Sequence, residues 1–252
     1  MTLVNEIENL MLQMRDEQQC AILSRFFKTG KGEYGEGDKF LGIKVPQTRA
    51  VVKKYRYWLT FNEIEELLYS QWHEIRLCGF LLLVEEMKAA LPKKRETEPQ
   101  IKAKRRKKIA EFYLAHAKQA NNWDLVDLSC YEIIGNWLLY PSVNNTLPDK
   151  LVLDRLSGSK NLWEQRISIV STLQLIRAGS FDDTLRIADK LLSHKHDLIQ
   201  KAVGWALREL GKKDIELLRA YLKENSSEMA RTTLRYAIEK MDDEERHYWL
   251  GK

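Results

Sequence analysis

The feature that most constrains the fold is a series of apolar segments that repeat along most of the chain with helical spacing. In each segment apolar residues recur three and four positions apart, as in a helix that buries one face. Alternating polar and apolar runs are absent, and the 252-residue chain has only five prolines. The pattern therefore predicts an all-α fold. The segments that align with one another are WHEIRLCGFLLLVEEM, WDLVDLSCYEIIGNWL, WEQRISIVSTLQLIR, LIQKAVGWALREL and EMARTTLRYAIEKM.

The spacing between these segments indicates the kind of helical fold. Trp123 and Trp163, which begin two of them, are 40 positions apart. Each segment also follows a shorter predicted helix, and degenerate helix pairs with periods of roughly 30 to 47 residues are typical of HEAT-like repeats. We therefore predict one domain over residues 1–252, an α/α superhelical solenoid of HEAT-like repeats with a concave groove. In this prediction residues 1–60 form an N-terminal helical cap and residues 61–252 form stacked helix pairs.

One predicted helix, over residues 122–139, carries a carboxylate within its apolar face. On a helical wheel Asp127 lies among apolar side chains, one turn after Trp123. A buried carboxylate without a partner is costly, so Asp127 needs either a structural partner or a chemical role. Asp124 lies at the edge of this face near the helix N-terminus, where it complements the helix dipole. We predict no chemical role for Asp124.

Two later residues also depart from the apolar pattern of their helices. Arg166 shares a face with apolar side chains, and an ion pair with Asp127 between stacked repeats is one explanation of both residues. Trp205 lies opposite the apolar face of its helix, where Lys201 and Arg208 flank it. A large aromatic side chain among cations suits contact with nucleic acid. Packing of Trp205 against an adjacent repeat is the alternative.

The positive charge of the chain is concentrated in one segment. Residues 93–109 hold nine Lys and Arg and two Glu, a local charge of +7, whereas the whole chain carries +5. A localised basic patch favours a polyanionic partner such as DNA, and a solvated loop with a helix start is the alternative. The candidate DNA contacts within this segment are Lys104, Arg105 and Arg106.

Other features indicate a cytoplasmic protein without a metal or a nucleotide cofactor. The three cysteines are widely spaced and form no disulfide or metal-binding pattern. The N-terminus lacks the features of a signal peptide, and no apolar run approaches the ~18 residues of a membrane span. The GxGxxG sequence at residues 30–35 follows a predicted helix rather than a strand, so we expect no phosphate site there. His73, His116 and His247 each stand alone in the sequence.

Five segments in one order along the chain resemble those of a known family. They are EGDKFLGIKVPQTR (36–49), NNWDLVDLS (121–129), LWEQRISIVSTL (162–173), IQKAVGWALRELGKKD (199–214) and MARTTLRYAIEKM (229–241). With these segments the chain resembles the DNA alkylation repair family of HEAT-like, AlkD-like alkylpurine DNA glycosylases. The resemblance covers nearly the whole chain.

The resemblance implies an activity and assigns roles to the unusual residues. Members of the family remove positively charged N3- and N7-alkylated purines from duplex DNA without a metal or another cofactor. They act on the sugar and backbone without enclosing the base in a pocket. Carried over residue by residue, the family's catalytic carboxylate is Asp127 and its two cleft tryptophans are Trp123 and Trp205. Its DNA-contacting arginine is Arg166.

Two other functions remain open from the sequence. A noncatalytic relative could bind DNA or branched junctions through the same concave surface, and a HEAT-type scaffold could bind other proteins. The presence of Asp127 with the two tryptophans favours catalysis over the first alternative. Lys201, Arg208 and the basic segment favour DNA over the second. We expect a monomer without an obligate protein partner that works in the cytoplasm on nucleoid DNA.

Overall fold

A computed structural model describes residues 2–93 and 99–251 of the chain. These residues form helices joined by turns and loops, with a single isolated bridge between Lys39 and Trp72. The prediction of an all-α fold is therefore confirmed. Within the two described ranges, no helix is both long enough and apolar enough to span a membrane.

The chain divides into two compact units, residues 1–129 and residues 130–252. The predicted cap over residues 1–60 lies within the first unit, and its role as a cap stays a prediction. The helices of the first unit are α1 (Leu3–Gln13), α2 (Glu17–Phe26), α3 (Val45–Tyr55), α4 (Phe61–Leu68), α5 (His73–Ala89), α6 (Pro99–Ala115) and α7 (Trp123–Asp127).

Helix α5 is the central helix of the first unit. Side chains around its whole circumference are buried, among them Leu77, Phe80 and Leu83. A helix that is apolar on all sides is stable only when neighbours cover every face, and α3, α4 and α6 pack against this one. The same packing fixes the first residues of α5, so the polar side chains of His73 and Glu74 are held at its N-terminal end.

The described part of the second unit, residues 130–251, holds one π-helical segment and eight α-helices. Gly204 lies where two of these helices meet, because a Cβ atom at this position would lie 2.5 Å from the backbone oxygen of Thr233. A side chain there would force the two helices apart. The elements are the π-helical segment Tyr131–Gly135, α8 (Asn136–Leu139), α9 (Leu151–Ser157), α10 (Leu162–Arg177), α11 (Asp182–Leu191), α12 (Asp197–Gly211), α13 (Ile215–Asn225), α14 (Arg231–Ala237) and α15 (Asp243–Gly251).

The helix predicted over residues 122–139 is not continuous in the structure. Helix α7 ends at Asp127, where the hydroxyl of Ser129 donates a hydrogen bond to the backbone oxygen of Leu125. A serine side chain that occupies this oxygen competes with the regular helical hydrogen bonds. The next turn is π-helical, and its Gly135 lets the backbone approach α10, since a Cβ atom would lie 2.6 Å from the oxygen of Ser171. Asp127 therefore lies at the end of a short helix rather than in the middle of a long one.

Candidate active site

A cavity of about 470 Å³ opens within the first unit, between α2, the loop before α3, the start of α5 and α7. Trp123 and Asp127 both line it, so the two residues that the sequence placed one turn apart face the same space. Most of the other lining side chains are apolar or aromatic, and they include Leu23, Phe26, Phe27, Phe40, Ile43 and Leu128. An apolar cavity that presents a few polar groups has the character of a ligand or active site.

The aromatic wall of this cavity is a stack of rings that holds Trp123 in place. The indole ring of Trp123 stacks on Phe27, with 5.2 Å between ring centroids and 26° between planes. Phe27 in turn stacks on Phe40 at 5.0 Å, and Phe26 meets Trp123 edge to face at 5.8 Å. Aromatic pairs at these separations are favourable beyond the area they bury. The orientation of Trp123 is thus set by rings from α2 and from the loop before α3.

The carboxylate of Asp124 is part of a buried network, which the sequence did not predict. Asp124 is 6% exposed, and its Oδ2 atom lies 2.9 Å from Nε2 of His73. The other ring nitrogen of His73, Nδ1, lies 2.7 Å from Oδ2 of Asp38. Arg76 completes the network by donating from Nη2 to Oδ1 of Asp38 at 2.6 Å. The prediction that Asp124 only complements the helix dipole is therefore wrong, and His73, which stands alone in the sequence, has two carboxylate partners in the fold.

His73 carries a positive charge in this network. Carboxylate oxygens only accept hydrogen bonds, so an imidazole with one on each nitrogen must donate from both. Burial lowers the pKa of His73, but the charges and hydrogen bonds of Asp124 and Asp38 outweigh it and raise the pKa to about 9. Burial likewise opposes ionisation of Asp38, yet His73 and Arg76 hold its pKa below the usual range. The hydrogen-bond geometry and the raised pKa therefore both indicate that His73 is an imidazolium.

Glu74, the residue after His73, fixes the loop that forms one side of the cavity. Its two carboxylate oxygens accept hydrogen bonds from the backbone amides of Leu41, Gly42 and Ile43, at 2.8, 2.8 and 3.1 Å. Gly42 has a φ of +83°, and a Cβ atom there would lie 2.3 Å from the backbone oxygen of Asp16. Only glycine suits both the dihedral angle and the close approach. The loop thus depends on one buried carboxylate and one glycine.

The sequence carried only a faint signal of this network. The polar pair His73–Glu74 precedes a long apolar run, which marks it as unusual at the start of a buried helix. Its partners lie far away in the chain: Asp38 is 35 positions before His73 and Asp124 is 51 positions after it. No spacing rule connects residues at such separations, so only the fold identifies them.

Trp205 and Arg166, the other two residues assigned by resemblance, lie in the second unit. Trp205 is half-buried and lines a separate cavity of about 270 Å³ with Arg177, Lys212 and Lys213. Cations other than Lys201 and Arg208 therefore lie beside this tryptophan, together with the carboxylate of Glu209. Arg166 is 5% exposed and donates a hydrogen bond to the backbone oxygen of Leu198. Its contact with DNA stays a prediction.

The two cations predicted to flank Trp205 both pair with carboxylates of the second unit. The ammonium of Lys201 lies 2.9 Å from Asp197. The guanidinium of Arg208 contacts Glu239 and, at 3.4 Å, Glu209. The pair of Lys201 with Asp197 is largely exposed, and exposed pairs contribute little to stability. The side chain of Arg208 is more buried, at 18% exposed. Contacts of Lys201 and Arg208 with phosphate stay predictions.

The basic segment 93–109 is described in part, because its residues 94–98 lie outside the described ranges. Lys104 is exposed on α6, where it is available to an anionic partner. Arg105 pairs with Glu86 at 2.7 Å and is 40% exposed in its side chain. Arg106 is 4% exposed and donates to the backbone oxygen of Ala90 at 2.8 Å, which corrects the expectation of a solvent-facing cation at this position.

The GxGxxG sequence at residues 30–35 has a local explanation in the structure. In the GxGxxG loop, the backbone amides of Gly30 and Gly32 donate to the carboxylates of Glu33 and Glu36, both at 2.9 Å. Those amides therefore already have anionic partners of their own. Among the described residues, no group of three or more His, Cys, Asp or Glu could hold a metal ion.

The chain as a whole matches a family model and a solved structure. The family model described as "DNA alkylation repair enzyme" matches residues 7–241 of the chain. The chain is also similar to the solved structure of a predicted DNA alkylation repair enzyme from Enterococcus faecalis, with a TM-score of 0.64 and 18% sequence identity. That similarity covers 91% of this chain and 97% of the other, and it shows a shared fold. No curated protein matches the chain.

Proposed function

The chain belongs to the family of DNA alkylation repair enzymes, and we propose that it is a monofunctional DNA glycosylase. Its proposed substrates are cationic N3- and N7-alkylated purines in duplex DNA, such as 3-methyladenine and 7-methylguanine. The observation that carries the proposal is that Asp127 and Trp123 line one aromatic cavity. A carboxylate beside aromatic rings, in a cavity lined mostly by apolar side chains, is suited to stabilise a developing positive charge.

Beyond this charge stabilisation, the reaction requires few catalytic groups from the protein. An N3- or N7-alkylated purine is already a cation, so it leaves as a neutral base when the electron pair of the glycosidic bond moves onto it. The deoxyribose then gains oxocarbenium character, as in glycoside hydrolysis. Asp127 stabilises this charge and orients a water molecule whose oxygen bonds to C1′. The proton released by that water passes to Asp127 or to solvent.

The remaining residues of the proposal bind the DNA. The π faces of Trp123 and Trp205 contact the deoxyribose. The attraction between these rings and the sugar strengthens as the sugar becomes positively charged. Arg166 holds a backbone phosphate, and Lys201 and Arg208 add further phosphate contacts. Lys104 and Arg105 on α6 bind flanking duplex without regard to sequence, which makes the affinity dependent on salt. The enzyme acts on the sugar and backbone and does not enclose the base.

The test is the release of 7-methylguanine from methylated duplex DNA by the wild type, by Asp127→Asn and by Asp182→Asn. Asp182 is an exposed carboxylate on α11, so Asp182→Asn makes the same chemical change outside the cavity. We expect Asp127→Asn to lower the single-turnover rate by about 100- to 1,000-fold, the usual scale for losing one electrostatic contact to a transition state. Asp182→Asn should release base at the wild-type rate.

Two other outcomes reject the proposal in different ways. Equal release by the wild type and Asp127→Asn would remove the catalytic role of this carboxylate. If the wild type releases no base but shifts duplex or branched DNA in a salt-dependent gel assay, the protein is a noncatalytic DNA-binding relative.

A further inference from the structure

Four charged side chains beside the cavity have no part in the proposed chemistry. They are the carboxylates of Asp38 and Asp124, the imidazolium of His73 and the guanidinium of Arg76, and together they carry no net charge. Their side chains are between 2% and 9% exposed. Buried ion pairs are poor sources of stability compared with apolar packing, because each charge must be taken out of water. A cluster of this kind at the edge of a candidate active site calls for another explanation.

His73 is the centre of this cluster and connects it to α7 in two ways. Its Nε2 donates to Asp124, the second residue of α7. Its ring also stacks on Phe40 at 4.4 Å and lies 5.1 Å from Phe27, the ring on which Trp123 is stacked. A displacement of His73 would therefore disturb both the anchor of α7 and the aromatic wall.

We propose that His73 is a positioning residue whose imidazolium links Asp38 to Asp124 and thereby fixes Trp123 and Asp127 in the cavity. The proposal rests on the proposed function, since it assigns His73 a part in base release at Asp127. Helix α7 has only five residues, Trp123–Asp127, so it has little rigidity of its own. The link to Asp124 holds its second residue, and Trp123 and Asp127 are its two ends. Misplacement of a catalytic group by about 1 Å can lower a rate about 100-fold.

The link requires the charged form of His73. A neutral imidazole donates from one nitrogen only, and its other nitrogen would then face a carboxylate oxygen with no hydrogen between them. In the buried cluster that contact is repulsive, so loss of the proton would release either Asp38 or Asp124. The ionisable groups around His73 are Asp38 from the loop before α3, Asp124 and Asp127 from α7, Lys44 from the cavity rim, and Glu74 and Arg76 from α5 itself.

Nuclear magnetic resonance of the wild-type chain tests the link without any DNA. At pH 7.5 both ring nitrogens of His73 should be protonated, and they should titrate with a midpoint near the pKa of about 9. The indole N–H signal of Trp123, assigned from a Trp123→Phe spectrum, should move with the same midpoint. A neutral His73 at pH 7.5 would overturn the proposal. So would a Trp123 signal whose chemical shift does not change as His73 titrates.

Single-turnover release of 7-methylguanine tests whether the link serves the reaction. Asp124→Asn keeps the shape of the side chain but removes its charge, and it is a milder change than replacing His73. We expect it to lower the midpoint of His73 and to lower the rate about 10- to 100-fold, with unchanged affinity for duplex DNA. The wild type should also lose activity above pH 9, and in Asp124→Asn this loss should begin at lower pH.

A purely structural role gives a different pattern. In that case Asp124→Asn would lower the melting temperature while the folded fraction kept the wild-type rate and pH profile, and the proposal would be wrong. Asp182→Asn is the matched control for both measurements. If Asp127→Asn proves fully active, the proposed function fails by itself, and the DNA-free titration of His73 and Trp123 still decides whether the link exists.

Discussion

The Nε2 atom of His73 lies 2.9 Å from Oδ2 of Asp124, although 51 positions separate the two residues along the chain. In the sequence Asp124 is one more acidic residue at the start of a helix. In the fold it is a buried anion that needs a cation, and His73 supplies one. The charge of His73 thus ties the start of α5 to α7, the helix that carries Asp127.

The stability of the protein should depend on pH through His73. Because its pKa is raised from 6.5 to about 9, the charged link contributes fully below pH 6.5 and is lost as the pH rises to about 9. The free energy of unfolding should fall by about 3 kcal/mol across this window. Urea denaturation at pH 6 and pH 10 measures the change. The same pair of measurements on Asp124→Asn should show a smaller difference, and an equal difference would contradict the assignment.

Removal of the Trp123 ring should slow base release more than replacement by another aromatic ring. Trp123→Ala loses the π face beside the sugar and the stacking partner of Phe27, so we expect a rate loss of about 10-fold or more. Trp123→Phe keeps a ring in the wall and should lose less. Trp58→Ala is the control in the same unit, since Trp58 is 63% exposed and lies outside the cavity. If the Trp123→Ala rate does not fall below that of Trp58→Ala, Trp123 has no part in the reaction.

Gly42 should be far less replaceable than Gly32, although both have a positive φ, of +83° and +79°. Gly32→Ala meets no atom within 4 Å, so it should cost only the roughly 1–2 kcal/mol of a left-handed alanine. Gly42→Ala adds a Cβ atom 2.3 Å from the backbone oxygen of Asp16, which must move. We expect at least about 2 kcal/mol more, together with slower base release because Glu74 then holds a displaced loop. Chemical denaturation compares the two variants, and equal costs would show that the loop adapts freely.

Lys104 and Arg106 are two positions apart on α6. We expect alanine at Lys104 to change DNA binding and alanine at Arg106 to change stability. Lys104→Ala should leave the melting temperature unchanged and reduce the slope of log affinity against log salt concentration by about 0.9, the value for one lost phosphate contact. Arg106→Ala should leave that slope unchanged. Its hydrogen bond to Ala90 is buried, so its loss should lower the free energy of unfolding by roughly 1.5–3 kcal/mol. A reversal of the two effects would show that the burial of Arg106 does not describe its role.

Much of the fold follows from the sequence because its signals are local. The capping box of α4 is an example: Thr60 accepts from the amide of Glu63, and the Glu63 carboxylate accepts from the amide of Thr60. Such contacts lie within four residues, and the apolar spacing that marks each helix face is equally short-range. The prediction of one continuous helix over residues 122–139 was wrong because it relied on this local spacing alone. Its apolar spacing continues through Ser129 and Gly135, whose effects on the backbone depend on neighbours that spacing does not describe.

The sequence by itself determined the helical class, the segments that mark the family, and Trp123 and Asp127 as a pair one turn apart. Helical geometry relates residues three or four positions apart, so these properties need no knowledge of the rest of the chain. Only the tertiary structure decided that Asp38, His73 and Asp124 form one charged cluster beside that pair, and that the side chain of Arg106 is buried. Burial and ion pairing depend on which distant segments pack together, and that choice is made by the whole core at once.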